Sequence, residues 1–383
     1  MNAYRNTVSA EIEEAFLEAR QAGSYLAAKS DRLCRALRTR TSDGSVLTPF
    51  PHVFVTHEYW KTLNKHARMK HLLKAVHVLH PGWVFMGVSA AVLHDLQVPY
   101  RELDGTIHIA AGTHCRSYSK TPKVTRHALS NAQVESLGGI DATALLPTSL
   151  DCMRTMGFRH GTAIADSALR KGRLSREELT EYVEQKGSRR LGVGQARKTA
   201  AFADPRSANG GESVARAVMY ELGFAAPDLQ RRFRDPVEPW RLYYADFAWD
   251  PSLSRGTKHA AAPLHHVRSS AHASGESSGE APDGSGLIVG ELDGIEKYFN
   301  VNMNRGEGVD GALLRERKRE SRLTLAHASV VRFSYGDVLD LAGFNHLLET
   351  YGVPRDHKPT VQIPPLVVDD PYGIDYLPPE AYA

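Results

Sequence analysis

Two carboxylates stand one residue apart at the end of an apolar run in the segment Gly286–Tyr298, which reads GLIVGELDGIEKY. Side chains alternate across a strand, so Glu291 and Asp293 point to the same face. Asp246 lies near the end of an earlier apolar run, and Glu212 stands in the first turn of the helix predicted before it. If the two runs pair as neighbouring strands, these acids converge. The alternative is that they are solvated strand ends and helix caps.

A cluster of carboxylates suffers strong like-charge repulsion unless a cation neutralises it. Oxygen ligands with open water positions suit Mg²⁺ or Mn²⁺, and we expect Asp246, Glu291 and Glu212 to hold such an ion. The bound ion lowers the pKa of a water molecule and stabilises charge on a scissile phosphate. Lys297, one turn after Asp293, is placed to orient that water or to meet the phosphate. The pattern predicts a catalytic set for a phosphodiesterase, namely Asp246, Glu291, Asp293, Lys297 and Glu212.

The elements that must position these acids follow one order from residue 209 onward. A helix with apolar residues at four-residue spacing, GESVARAVMYELGF, ends at Gly223. Strands are predicted at 231–237, 242–249 and 287–293, followed by a helix over 311–325, the β-rich run SVVRF and a last helix capped by Asp337. The helix over 311–325 is basic, and we expect it to hold a nucleic-acid backbone through Arg315, Arg317, Lys318, Arg319 and Arg322.

The N-terminal residues predict a second place for nucleic acid. An amphipathic helix over 11–22, a helix reading DRLCRALRTR and a small hairpin after Asp43-Gly44 resemble a winged helix-turn-helix. The second helix has a basic side made by Arg32, Arg35, Arg38 and Arg40. We expect Arg35 and Arg38 to contact DNA, and the alternative is a solvated helix face.

Three further regions are set apart by composition. Residues 57–205 read as a largely helical α/β region. The stretch 250–286 is rich in Ser, Ala, Gly, Pro and His and has almost no large apolar residues, so we expect a disordered insert. The proline-containing, acidic segment 355–383 is expected to form an extended tail.

The overall composition is that of an ordinary globular chain. Its 383 residues leave room for two or three domains, and a net charge of +3 is too small to indicate nucleic-acid binding by itself. No stretch approaches the roughly 20 apolar residues of a membrane span. The three cysteines have no metal-type spacing, and the N-terminus has no apolar core of a secretory signal. We therefore expect reduced thiols in a cytoplasmic protein without a membrane partner.

The acids and their elements resemble the PD-(D/E)xK nuclease superfamily, in its branch similar to very-short-patch-repair endonucleases. The matching residues are Glu212, Ser213 and Arg216 in GES…R, 246–249 in DFAW, and Glu291, Asp293 and Gly294 in ELDG, with 330–339 as the closing strand and helix. Upstream, GVSAAVLHDLQVP and TSLDCM are similar to proteins related to abortive-infection type IV antitoxins, whose N-terminal winged helix binds DNA.

These resemblances imply an α/β protein with a restriction-endonuclease-like αβββαβ domain over 206–354. It follows a winged-helix-like module over 1–56 and the middle region over 57–205. The implied activity is that of a metal-dependent endonuclease, an endodeoxyribonuclease that uses Mg²⁺ or Mn²⁺ and has DNA as its partner.

Two departures from the nuclease pattern keep a second function open. The lysine that usually follows the acid by two residues on the same strand face is replaced by Asp293, and the insert after Asp246 is far longer than the usual hairpin. The alternative function is a non-enzymatic DNA-binding antitoxin or transcriptional regulator with a degenerate nuclease domain.

Overall fold

The computed structural model describes residues 2–111, 123–128, 133–170, 172, 174–250, 286–293, 321–322 and 329–365, with side chains from residue 9 onward. The described residues form a mixed α/β protein, which confirms the α/β class expected from the sequence. The chain divides into two compact units, Met1–Pro205 and Arg206–Ala383. None of the described helices is long and apolar enough to cross a membrane.

The N-terminal unit begins with two helices and a three-stranded antiparallel sheet of order β1-β3-β2. Ser30 caps the second helix by accepting a hydrogen bond from the backbone N–H of Leu33, at 3.3 Å. Ile12, Leu37 and Phe54 are buried together, so both helices pack against this sheet. The elements are α1 (Asn2–Gln21), β1 (Leu26–Ala27), α2 (Asp31–Thr41), β2 (Val46–Phe50) and β3 (Val53–Thr56).

The rest of this unit is largely helical with two small pairs of strands, β4 with β5 and β6 with β7. Ser175 and Glu178 form a capping box, which confirms the helix start predicted there. The elements are α3 (His57–Thr62), α4 (Lys65–Leu79), α5 (Gly87–Leu93), β4 (Ile107–Ala111), β5 (Val124–Ala128), β6 (Val134–Leu137), β7 (Ile140–Thr143), α6 (Leu145–Thr155), α7 (Gly157–Arg170), α8 (Arg176–Gly187) and α9 (Val193–Phe202).

The C-terminal unit contains a four-stranded sheet of order β11-β10-β9-β8, in which only β10 and β11 run parallel. Phe333 lies with its ring centre 5.8 Å from that of Phe247 and 4.9 Å from that of Phe344, and these contacts join the last helix to the sheet. The elements are α10 (Gly210–Glu221), β8 (Asp228–Arg234), β9 (Leu242–Trp249), β10 (Ile288–Asp293), β11 (Ser329–Ser334), α11 (Tyr335–Leu339) and α12 (Leu341–Thr350).

Gly223 ends α10 as predicted, because its backbone conformation and its close neighbours leave no room for a side chain. Its φ is +89°, and a Cβ at this position lies 2.5 Å from the carbonyl oxygen of His357. Arg355 stacks on the Phe224 ring at 4.2 Å, and the backbone N–H of Thr360 donates to the carbonyl of Glu221 at 2.8 Å. The first residues after 354 are therefore fixed against α10.

Two element predictions in this unit are wrong. The strand expected at 231–237 ends at Arg234, because the buried carboxylate of Asp235 accepts the amides of Val237 and Glu238 and turns the chain. The last helix is two helices, because the side chain of Asp340 accepts the amide of Gly343 and starts a new helix there. Ser334, and not Asp337, is the first cap. Asp337 completes the capping box with it.

Candidate carboxylate site in the C-terminal unit

Glu212 is held in the first turn of α10 by its own helix. Asn209 caps the backbone N–H of Glu212 at 3.0 Å, and the Asn209 amide donates back to Glu212 Oε1 at 2.7 Å. The backbone N–H of Ala208 donates to Glu212 Oε2 at 2.6 Å. A carboxylate at a helix N-terminus is favoured by the free N–H groups there. The Glu212 side chain is therefore buried, 3% exposed, and is held by donors from the two residues that precede α10.

Gln230 joins Glu212 to the sheet. Its Nε2 donates to Glu212 Oε2 at 3.2 Å and to Asp246 Oδ1 at 3.3 Å, so two carboxylates share one amide nitrogen. Gln230 has a φ of +50°, a left-handed conformation that is costly for a residue with a Cβ. It lies between the ladder pairs Leu229–Phe247 and Arg231–Ala245, which places it across from Asp246. Sequence reasoning missed Gln230 because an amide carries no charge pattern. The signal that could have found it is the register of the hairpin, because Gln230 and Asp246 are equally far along the chain from the middle of the β8–β9 turn.

Asp246 lies where two strands of the sheet separate. The backbone pairing between β9 and β10 ends at Phe247–Gly290. Two residues further along β10, the backbone N–H of Leu292 donates to Asp246 Oδ2 at 3.0 Å. The carboxylate thus replaces a main-chain acceptor on one side and accepts from Gln230 on the other. The antiparallel pairing of β9 with β10 is the condition on which the expected convergence of Asp246 and Glu291 depends.

Glu291 and Asp293 lie on β10, beside the parallel strand β11. Glu291 is only 4% exposed, and its register partner is Arg332. An Arg332 guanidinium nitrogen lies 3.9 Å from Asp293 Oδ1. The acid that stands where a lysine was expected is therefore accompanied by an arginine from the neighbouring strand. Arg332 was not predicted as a site residue, because its position depends on a crossover between parallel strands.

The acids expected to form the metal site lie on neighbouring elements of the C-terminal unit. Glu212 and Asp246 converge on one donor, and Glu291 lies on the adjacent strand. Within the residues that the structure describes, no group of three or more His, Cys, Asp or Glu side chains is close enough to hold a metal ion. The carboxylate oxygens of these acids are ligands that fit a hard cation. Lys297 lies outside the described residues.

The predicted DNA-contacting arginines have different surroundings. Arg322 lies 3.8 Å from the buried carboxylate of Asp235, with 19% of its side chain exposed. Arg35 and Arg38 are exposed on α2, and neither forms an ion pair with any described residue. The remaining predicted cations, Arg315, Arg317, Lys318 and Arg319, are not among the described residues.

Asp235 owes its ionisation to a dense set of donors. Burial by itself raises the pKa of this carboxyl. The amides of Val237 and Glu238, the Tyr243 hydroxyl at 2.9 Å and the charge of Arg322 outweigh that effect, and the pKa is lowered below its ordinary value. Arg322 therefore contributes to the structure of the β8–β9 turn, whether or not it also meets a phosphate.

Comparisons with known proteins give a relationship without an activity. No protein-family model matches this chain. Two uncharacterized proteins of Mycobacterium tuberculosis, from strains CDC 1551 and H37Rv, are each 35% identical to it over 124 residues. The aligned segment is 32% of this chain and 44% of each relative, so the match spans less than half of the relatives' length.

Proposed function

We propose that the C-terminal unit is a metal-dependent endonuclease that cleaves DNA phosphodiester bonds. The observation that carries this proposal is the sharing of the Gln230 amide by Glu212 and Asp246, with Glu291 on the next strand. Clusters of buried acids are typical of functional sites, because the charge of each carboxylate must be offset by hydrogen-bond donors or by a cation. The strand order β11-β10-β9-β8, with α10 beside the acids, also supports a restriction-endonuclease-like arrangement.

Glu212, Asp246 and Glu291 are the residues proposed to hold Mg²⁺ or Mn²⁺. When bound, the ion supplies positive charge for the scissile phosphate and for an attacking water. The chain's own contribution is to keep the three acids apart from bulk water on rigid elements. Asn209 fixes Glu212, and the Leu292 amide fixes Asp246. Gln230 occupies the point between the first two carboxylates, so cation binding has to compete with its amide.

Arg332 lies on the strand beside the acids of β10, and we assign it a positioning role. Its guanidinium accompanies Asp293 at 3.9 Å and is in register with Glu291. Its positive charge offsets part of the like-charge repulsion between Glu291 and Asp293. Phosphate contacts are assigned to the basic residues expected at 315–322 and to Arg35 and Arg38 of a winged-helix-like N-terminal module.

A second candidate is a non-enzymatic DNA-binding protein, and two observations favour it. Both carboxylate oxygens of Glu212 already accept hydrogen bonds, from Ala208 and Asn209 just before α10 and from Gln230. Asp293 stands at the position of the usual lysine and lies beside Arg332. In this alternative the fold keeps its basic surfaces and the acids are structural.

The test compares two isosteric variants, Asp246→Asn and Glu291→Gln, with the control Asp228→Asn. Asp228 is an exposed acid of β8 that pairs with Arg206, so its variant loses the same charge away from the site. Thermal melts with Mg²⁺ or with EDTA measure ion binding through mass action, and supercoiled plasmid and single-stranded DNA both serve as substrates to measure cleavage.

We expect Mg²⁺ to raise the Tm of the wild type and the control, and to leave both site variants nearly unchanged. Cleavage should need Mg²⁺ and should fall by roughly a hundredfold or more in the site variants. A wild type without a Mg²⁺ or Mn²⁺ shift and without cleavage would transfer the proposal to the binding-only alternative.

A further inference from the structure

The hairpin of β8 and β9 has an unusual exposed face. Opposite residues across the ladder pair an arginine with an apolar or aromatic side chain, Arg232 with Tyr244 and Arg234 with Leu242. Tyr244 is 48% exposed and Leu242 is 43% exposed. At the turn, Trp240 is 82% exposed, although a tryptophan has more apolar surface to bury than any other side chain. Phe233, between the two arginines, packs instead against the buried residues Ala245 and Val289.

On this hairpin the acids are paired or buried, whereas two of the arginines form no ion pair with a described residue. Asp228 pairs with Arg206, Glu238 pairs with Arg241, and Asp235 is fully buried. Arg232 and Arg234 make no ion pair with any residue that the structure describes. Asp246 lies on the same face and accepts hydrogen bonds from Gln230 and from the backbone N–H of Leu292. Arg232 and Arg234 therefore present positive charge that alternates with rings.

The turn that carries Trp240 is held in place. The carboxylate of Asp235 accepts the amides of Val237 and Glu238 at 2.8 and 3.1 Å and the Tyr243 hydroxyl at 2.9 Å. The backbone N–H of Arg241 donates to the carbonyl of Glu238 at 2.8 Å. A rigid support lowers the entropy cost of using exposed rings for binding.

We propose that this face, formed by Arg232, Arg234, Tyr244 and Trp240, binds single-stranded DNA. Exposed rings offer stacking surfaces to unpaired bases, and free guanidinium groups attract the phosphates between them. A duplex keeps its bases stacked on one another and cannot use the rings without being opened. The partner class rests on the proposed function, because DNA is the substrate assigned there.

The position of Tyr244 connects this surface to the carboxylate site. Tyr244 lies two residues before Asp246 on β9, which is roughly 7 Å along the strand and on the same face. That spacing is about one nucleotide of an extended strand. A strand stacked on Tyr244 therefore brings a neighbouring phosphodiester to Asp246, and the proposed substrate is a single-stranded segment rather than intact duplex.

The experiment measures binding in EDTA, so that cleavage plays no part. Fluorescein-labelled oligo(dT) and a duplex of equal length are titrated with the full chain, and fluorescence anisotropy is recorded. The variants are Trp240→Ala, Tyr244→Ala and the double variant Arg232→Gln/Arg234→Gln. The controls are Tyr351→Ala and Lys358→Gln, which remove an exposed ring and an exposed cation elsewhere in the same unit.

We expect tighter binding of oligo(dT) than of duplex. Each ring variant should weaken oligo(dT) binding by roughly fivefold or more, and the controls should not. The double arginine variant should weaken it and also flatten the dependence of affinity on salt, by roughly 0.7 units of slope for each lost contact. Tryptophan emission should fall on binding in the wild type, and Trp240→Phe should abolish that change. Unaltered Tm values establish that the variants are folded.

Three results would overturn this inference: equal oligo(dT) affinity in variants and controls, a preference for duplex, or concentration-dependent self-association that Trp240→Ala removes. The last result would assign the face to a protein interface. The outcome is separable from that of the proposed nuclease. Single-strand binding without any Mg²⁺-dependent cleavage keeps the surface and removes the enzyme, and cleavage that is indifferent to these variants does the reverse.

Discussion

Gln230 is the residue on which the candidate site depends most directly. Its amide is shared by Glu212 and Asp246, and its backbone adopts a φ of +50°. Left-handed backbone costs roughly 1–2 kcal/mol for a residue with a Cβ, so the contacts of the amide have to offset that cost. Strain of this kind is concentrated at functional sites in proteins.

A pair of substitutions separates the amide from the strain. Both Gln230→Ala and Gln230→Gly remove the shared donor, which should cost about 1–3 kcal/mol of unfolding free energy because the buried Glu212 and the half-buried Asp246 carboxylates lose it. Glycine also relieves the left-handed conformation, so Gln230→Gly should be about 1 kcal/mol more stable than Gln230→Ala. Urea unfolding in EDTA measures both values. If the two variants are equally stable, Gln230 is not strained.

The residue scale also shows what sequence reasoning can reach. Alternation along the strand placed Glu291 and Asp293 on one face, and the convergence with Asp246 was predicted on the condition that the two strands pair, as they do. The roles of Gln230 and Arg332 could not be predicted in this way. Gln230 depends on a rare backbone angle, and Arg332 depends on a parallel strand from a distant part of the chain. Whether Glu212 serves a metal or only its helix depends on hydrogen bonds that a sequence pattern does not contain.

At the scale of elements, the C-terminal strands were predicted well where their ends coincide with turn residues. The strand at 242–249 has the predicted bounds, and the strand ending at Asp293 begins one residue later than predicted. The failures arise at acids with local acceptor roles. Asp235 ends β8 early and Asp340 divides the last helix, since both side chains bind nearby amides in place of the regular backbone partner.

The connection between β9 and β10 yields a prediction at this scale. Trp249 and Ile288 are register partners in an antiparallel pair, so the ends of the two strands are already adjacent. Replacing residues 251–285 with a short Asn-Gly turn should therefore preserve the sheet. The shorter loop removes closure entropy at about 0.6 kcal/mol per halving, which gives at most about 2 kcal/mol of added stability.

Differential scanning calorimetry of the full chain measures this effect, with the Gly290→Ala variant as a matched control for damage to the same strand pair. A Cβ at Gly290 lies 3.1 Å from the Trp249 ring, so that variant should lower the Tm. A comparable loss in the shortened protein would mean that residues 251–285 support the fold.

At the scale of the whole molecule, the two units differ in their titrating groups. The described histidines with lowered pKa values all lie in Met1–Pro205, and burial is the main cause in each case. His108 shows the largest effect. Burial, and then the charge of His127, lower its pKa to about 4, and the two rings share a hydrogen bond of 2.8 Å between Nδ1 and Nε2.

Acid should therefore weaken the N-terminal unit first. A histidine kept neutral in the folded state takes up protons more readily when unfolded, where its pKa is near 6.5. The stabilisation from His108 is complete above that value and is lost as pH falls toward about 4, at a slope of up to about 1.4 kcal/mol per pH unit.

Between pH 7 and pH 5, amide hydrogen exchange corrected for its intrinsic rate should accelerate in peptides from 1–205 much more than in peptides from 206–365. His108→Gln should reduce that acceleration, and the control His357→Gln in the C-terminal unit should not. Equal acceleration in both units, or no effect of His108→Gln, would contradict this account of the acid response.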